Sequence, residues 1–152
     1  MTEYFQFEAD FVESLRCIPM QVRLKLDTCG VKLKLHHWHQ LSHQQRQTLT
    51  EMPCNTQAEI AAFRHYLQGL VIAQTGEAAK EFAIEPQPAW LNPHAVPAEL
   101  SDKARAWGVE LEPQQWAQLT PLQRFALIKL ARPGHESKNF HPALVEFGLL
   151  SA

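Results

Sequence analysis

The sequence predicts an all-α protein of two pseudo-repeated helical halves joined by a proline-rich linker. Three observations support this. Residues 18–49 (IPMQVRLKLDTCGVKLKLHHWHQLSHQQRQTL) align without a gap on residues 96–127 (VPAELSDKARAWGVELEPQQWAQLTPLQRFAL) at an offset of 78 places, with 11 of 32 positions identical. A self-match at one fixed offset is the sequence mark of a repeated structural unit. Helix start and stop residues fall in register in both copies: Pro19 with Pro97, Gly30 with Gly108, Ser42 with Thr120. Between these signals apolar residues recur at helical spacing.

Asp10 followed by Glu13 has capping-box spacing, and Phe11, Val12, Leu15 and Ile18 follow at helical intervals. A first helix is expected there, ending near Cys17 because Pro19 biases the chain before it away from helix. The next segment is ambiguous by itself. VRLKL-DTCG-VKLKL alternates like a hairpin over 21–35. Its counterpart, PAELSDKARAWG, is alanine-rich behind a proline and reads as a helix. The apolar stripe Val96, Leu100, Ala104, Trp107 is matched by Ile18, Val22, Leu26, Cys29. A helix over 19–29, closed by Gly30 in a left-handed cap, is therefore expected, with the hairpin as the main alternative.

Residues 31–35 should form a short extended link. Short helices are expected over 36–40 and 113–119. Ser42 and Thr120 then cap helices that run to about Met52 and Ala131, each stopped by a following proline, Pro53 or Pro133. Thr56 with Glu59 opens a long helix over 57–74, with Ile60, Phe63, Leu67, Leu70 and Val71 inward and Gly76 at its end. Pro86, Pro88, Pro93 and Pro97 mark 83–97 as the linker, with Trp90 expected to plug a core. A last helix over 139–147 carries Phe140, Leu144 and Phe147 and stops at Gly148. The expected organisation is a single compact domain over 1–152, with repeats at 18–75 and 96–149.

Composition narrows the function. Of 152 residues, 45% are apolar and 20% charged, an ordinary globular balance. A net charge of −2 argues against a nucleic-acid binder, including a helix-turn-helix reading of the short helices. No apolar run reaches the roughly 18 residues of a membrane span. The opening MTEYFQFEADF is acidic without a basic lead, so a signal peptide is not expected. Cys17, Cys29 and Cys54 are an odd, sparse set, read as free thiols in a reducing cytoplasm.

Candidate sites divide by whether both copies carry them. Trp38 and Trp116 match and read as core. Arg46 and Arg124 match and read as clamps on the short helix of their own copy. His36, His37, His39 and His43 have metal-ligand spacing, but Gln114, Gln115, Ala117 and Pro121 replace them in the second copy. The cap at Ser42 also separates His43 from His39. A solvated polar face is the plainer reading, and no metal site or cofactor is expected. Cys29 lies on the buried stripe. Cys17 follows Arg16 and Cys54 precedes a helix N-terminus, settings that favour a thiolate. Two basic patches are unmatched: Arg16, Arg23, Lys25, Lys32, Lys34, and Arg124, Lys129, Arg132, His135, Lys138. They suit an acidic partner surface or an anionic group. No GxSxG, P-loop, GxGxxG or HExxH is present, and no enzyme is expected.

Two runs, FQFEADFVESLRCIPMQVRLKLDTCGVKLKL (5–35) and WAQLTPLQRFALIKLARPGHESKNFHPALVEFGL (116–149), resemble the nitrate reductase-associated protein family of cyanobacteria and some other bacteria. Thr75-Gly76 and the PAWL turn at 88–91 extend the resemblance over the chain, and the histidines of 36–43 depart from it. The resemblance implies a non-catalytic accessory or maturation protein required for assimilatory nitrate reductase activity. Its implied partner is that cytosolic molybdopterin and iron–sulfur enzyme. It carries over no catalytic residue. Arg16, Cys17, Met20, Arg23, Lys25, Arg132, His135, Glu136 and Asn139 lie in the family-like runs, and most lack a like counterpart in the other copy, so they are the expected partner contacts. The alternative is a metal or cofactor carrier using Cys17, Cys54 and the histidines.

Overall fold

The computed structural model describes residues 4–8, 15 and 17–151, excepting the side chains of 135 and 136. The helix expected over 10–17 lies largely outside the described residues. Those described are mostly helical, and the chain forms two compact units. One is built on Glu8–Glu85, the other on Pro86–Ala152 together with Phe5–Phe7.

In the first unit, α1 spans Met20–Cys29. Its N-cap is Pro19, which has no side chain to cap with. The carboxylate of Glu8 does this instead, accepting the Met20 N–H at 2.8 Å. Gly30 ends the helix at φ 77°, its N–H donating to the Leu26 carbonyl at 2.9 Å. The hairpin alternative over 21–35 is thereby overturned. The helical stripe Val22, Leu26, Cys29 is buried, whereas Leu24, which an alternating strand would bury with Val22 and Leu26, is only half-buried. Val31–Lys32 alone is strand (β1), paired antiparallel with β2, Lys80–Glu81. Gly30 is required twice over. Besides its φ, a Cβ there would stand 2.7 Å from the Phe82 carbonyl oxygen, where the chain leaving β2 passes.

The helices that follow are α2 (Leu35–Gln40), α3 (His43–Glu51) and α4 (Gln57–Thr75). Ser42 and Gln45 form a reciprocal capping box on α3, and Thr56 and Glu59 form one on α4. Val22, Trp38, Leu49, Phe63 and Leu67 are fully buried between these helices. Each such side chain contributes about 1.5–3 kcal/mol by leaving water. Gln68, on α4, uses both ends of its amide on Ala79: its Nε2 donates to the carbonyl at 2.9 Å and its Oε1 accepts the N–H at 2.8 Å.

The second unit holds a 3-10 turn at Ala89–Leu91, then α5 (Ala98–Ala106), α6 (Pro113–Gln118) and α7 (Pro121–Ala131). A 3-10 turn at His135–Asn139 leads into α8 (Phe140–Glu146). Thr120 and Gln123 box the start of α7. Leu100, Trp116, Phe125, Leu127, Leu130, Phe140 and Leu144 make its core, and the Phe5 ring lies 5.0 Å from that of Phe147. Trp107 departs from the expected stripe. α5 ends at Ala106, so Trp107 has left the helix and stands 49% exposed, its ring 4.5 Å from that of His141. Trp90 is half-buried, edge-on to Phe125 at 5.0 Å.

Candidate functional site

The expected contact residues fall into two groups, one in each unit. In the first, Arg16 lies outside the described residues and Cys17 is a half-buried free thiol. Met20 is the first residue of α1 and only 4% exposed. Arg23 is half-buried on the same helix. Lys25 is turned inward. Its Nζ donates to the carbonyls of Leu49 at 3.2 Å and Thr50 at 2.7 Å, where α3 ends. A cation there satisfies the carbonyls that a helix leaves without partners at its C-terminus. Burial holds the Lys25 ammonium pKa below its ordinary 10.5.

In the second group, Arg132 is exposed at the C-terminal cap of α7. His135 and Glu136 lie on the 3-10 turn, which closes with Asn139 half-buried before α8. Ser137 Oγ donates to the Gly134 carbonyl at 2.8 Å and fixes the turn.

The two matched arginines are clamps, and they reach further than their own short helix. Arg46 Nε donates to the Trp38 carbonyl at 3.0 Å and its Nη2 to that of His39 at 2.9 Å. The Trp38 indole donates to the Leu15 carbonyl at 2.6 Å. Arg124 Nη1 donates to the Trp116 carbonyl at 3.2 Å and its Nε to that of Trp90 at 2.7 Å, while the Trp116 indole donates to Asn92 at 2.8 Å. In each unit one tryptophan and one arginine thus hold the end of a short helix and an upstream segment. Arg124 is only 6% exposed, so it does not belong to an exposed basic patch. Desolvation lowers its pKa below the ordinary arginine value.

The break at Leu41–Ser42 separates His43, on α3, from His36, His37 and His39 on α2. His37 Nδ1 accepts the Lys34 N–H at 3.1 Å, standing in for a capping side chain on α2. Burial first, then the positive charges of His36 and Lys34, holds its pKa below 6.5. Among the described residues no group of three or more His, Cys, Asp or Glu is placed to hold a metal ion. Cys54 is buried, and that burial raises its pKa, against the thiolate its sequence position suggested. An open groove of about 490 Å³ is lined by Gln6, Phe7, His141, Pro142, Val145 and Glu146. Glu146 Oε1 accepts the Phe7 N–H there at 3.3 Å.

The inward turn of Lys25, the Glu8 cap and the Gln68 pairing were not visible in the sequence. Each depends on backbone groups distant along the chain. Among the described residues no helix is long and apolar enough to cross a membrane.

Together these features define a mostly helical protein whose buried cations and indoles serve its own backbone. Residues 4–147 match the conserved nitrate reductase-associated protein family, and the chain belongs to that family. No curated protein and no solved structure matches it.

Proposed function

We propose that this protein is a non-catalytic accessory factor that binds assimilatory nitrate reductase in the cytoplasm and assists its assembly, cofactor loading or stabilisation. Membership of the nitrate reductase-associated family over 4–147 carries the reading. The way Arg46, Arg124, Lys25 and His37 are used internally is consistent with a scaffold rather than a catalyst. The contact groups are Arg16, Cys17 and Arg23 on one unit and Arg132, His135, Glu136 and Asn139 on the other. Met20 and Lys25 belong to α1, the helix that carries Arg23. Charged rims of this kind set partner choice and encounter rate.

The test is a pull-down of tagged protein from nitrate-grown cells, with nitrate reductase activity and bound molybdenum and iron measured with and without this protein. The reductase is expected to co-purify, and Arg23→Glu combined with Arg132→Glu to abolish capture and activity while helix content is retained. Normal capture and activity in that variant would sink the contact assignment. Failure of the native protein to capture the reductase would sink the binding reading.

A further inference from the structure

α8 has two different faces. Phe140, Ala143 and Leu144 are fully buried in the core of the second unit. The other face carries His141, Pro142, Val145 and Glu146, whose spacings set them side by side over one turn. The outer face of a helix is ordinarily polar. This one offers an exposed proline and a half-buried valine. Gln6 and Phe7 complete the open groove there, whose volume of about 490 Å³ is that of a ligand site. Trp107 is 49% exposed, and its ring lies 4.5 Å from that of His141, a lining residue. All of these residues belong to the second unit.

Charge selects the occupant. Among the described residues that line the groove, Glu146 is the one carboxylate, and no lysine or arginine accompanies it. Its Oε1 accepts the Phe7 N–H at 3.3 Å, while its Oε2 accepts nothing from the described residues. A carboxylate has about four acceptor sites, so most of this one's capacity is open to an incoming donor. Its half-buried setting among apolar side chains strengthens any such bond. An enclosed pocket would cover a small ligand on all sides. An open groove with an indole next to it suits a length of chain instead, and exposed tryptophans are common anchors for one.

We propose that this groove docks an extended segment of another protein in which an arginine lies beside an apolar side chain. The arginine guanidinium donates to Glu146, its planar fork matching the carboxylate. The apolar neighbour covers Phe7, Pro142 and Val145, and Trp107 covers the segment where it leaves the groove. The proposal rests on the groove alone and stands whether or not nitrate reductase supplies the segment.

The test is an NMR titration of the full chain with two blocked tripeptides, leucyl-arginyl-leucine and leucyl-glutaminyl-leucine, at millimolar peptide. The arginine peptide is expected to give saturable shifts at the Trp107 indole and at the amides of Phe7, His141, Val145 and Glu146. The glutamine peptide should bind about tenfold more weakly, the loss expected for one charge-assisted hydrogen bond. Glu146→Gln keeps an acceptor for the Phe7 N–H, and should weaken the arginine peptide about tenfold while leaving the glutamine peptide unchanged. Trp107→Ala should weaken both. Added salt should weaken the arginine peptide alone, a check that needs no variant. The proposal is overturned if the two peptides bind equally, or if neither shifts these signals. It is equally overturned if the signals shift with protein concentration alone, which would assign the groove to a second copy of the chain.

Discussion

Arg124 Nε donates to the Trp90 carbonyl oxygen at 2.7 Å across 34 positions of chain. The same guanidinium reaches Trp116 at 3.2 Å, so one planar cation bridges two carbonyls that have little access to water. Arg124→Ala leaves both without that donor and should cost about 3 kcal/mol. Arg124→Lys keeps the charge but loses the fork, and should recover less than half of this. Arg46→Ala should cost less, because Arg46 is only half-buried and water can replace it. Urea unfolding of the three variants checks the order.

Gly30 and Gly108 have nearly the same backbone, at φ 77° and 78°, and different surroundings. A Cβ at Gly108 meets nothing within 4 Å, whereas at Gly30 it meets the Phe82 carbonyl oxygen at 2.7 Å. Gly108→Ala should cost about 1–2 kcal/mol, the left-handed strain alone. Gly30→Ala adds a clash with backbone and should cost clearly more, about 3 kcal/mol or above. Equal costs in denaturant would refute the close approach of the chain after β2.

Alkaline stability follows from the buried thiols. The folded pKa of Cys29 is about 11 against an ordinary 9.0, and that of Cys54 is shifted the same way. A raised folded value gives stability that is full below 9.0 and is lost as pH rises towards 11. Lys25 has the opposite sign: its folded value is depressed, so its contribution is present above 10.5 and is lost as pH falls from there through the lower folded value. Urea midpoints from about pH 8 to pH 11 should fall in the native protein. They should fall less steeply in Cys29→Ala and more steeply in Lys25→Met. A flat profile for all three would contradict the burial of the thiols.

His37 gives the acid counterpart. Its neutral Nδ1 is the acceptor that caps α2, and its folded pKa is held below 6.5. The cap is therefore intact above 6.5 and is lost as pH falls through the folded value. His37→Ala should cost about 1 kcal/mol at neutral pH and close to nothing once the ring is protonated. A proton NMR titration of the His37 ring should show a midpoint below 6.5.

Elements whose signals are local were readable before any coordinates. Ser42 with Gln45, Thr56 with Glu59 and Thr120 with Gln123 cap helices using residues three places apart. Gly30 and Gly76 end helices through their own φ. The ambiguous stretch after Pro19 was decided for the helix by comparison with its partner 78 places on. What escaped was anything that required knowing which carbonyls lie near. A lysine on a helix reads as solvated, and only the position of Leu49 and Thr50 turns Lys25 inward. Glu8 reads as an ordinary acid until the proline-capped start of α1 is placed beside it. Trp107 kept its place in the apolar pattern, but its helix ended one residue too early to bury it. The family was readable because it rests on the identity of long runs rather than on their packing.

Phe5–Phe7 belong to the second unit, whereas Glu8–Glu85 builds the first. The Phe7 N–H finds its acceptor on Glu146, 139 positions away. On the ribosome Phe5–Phe7 therefore wait for the rest of their own unit, which is made only after residue 85. The first unit can close as soon as residue 85 has emerged, while Phe5 and Phe7 stay without Phe147 until residue 147 has emerged. Such a long loop closure is slow and leaves aromatic surface uncovered in the meantime. A bulky tag fused next to Phe5 would accordingly burden the later-made half of the protein, not the half it adjoins in sequence.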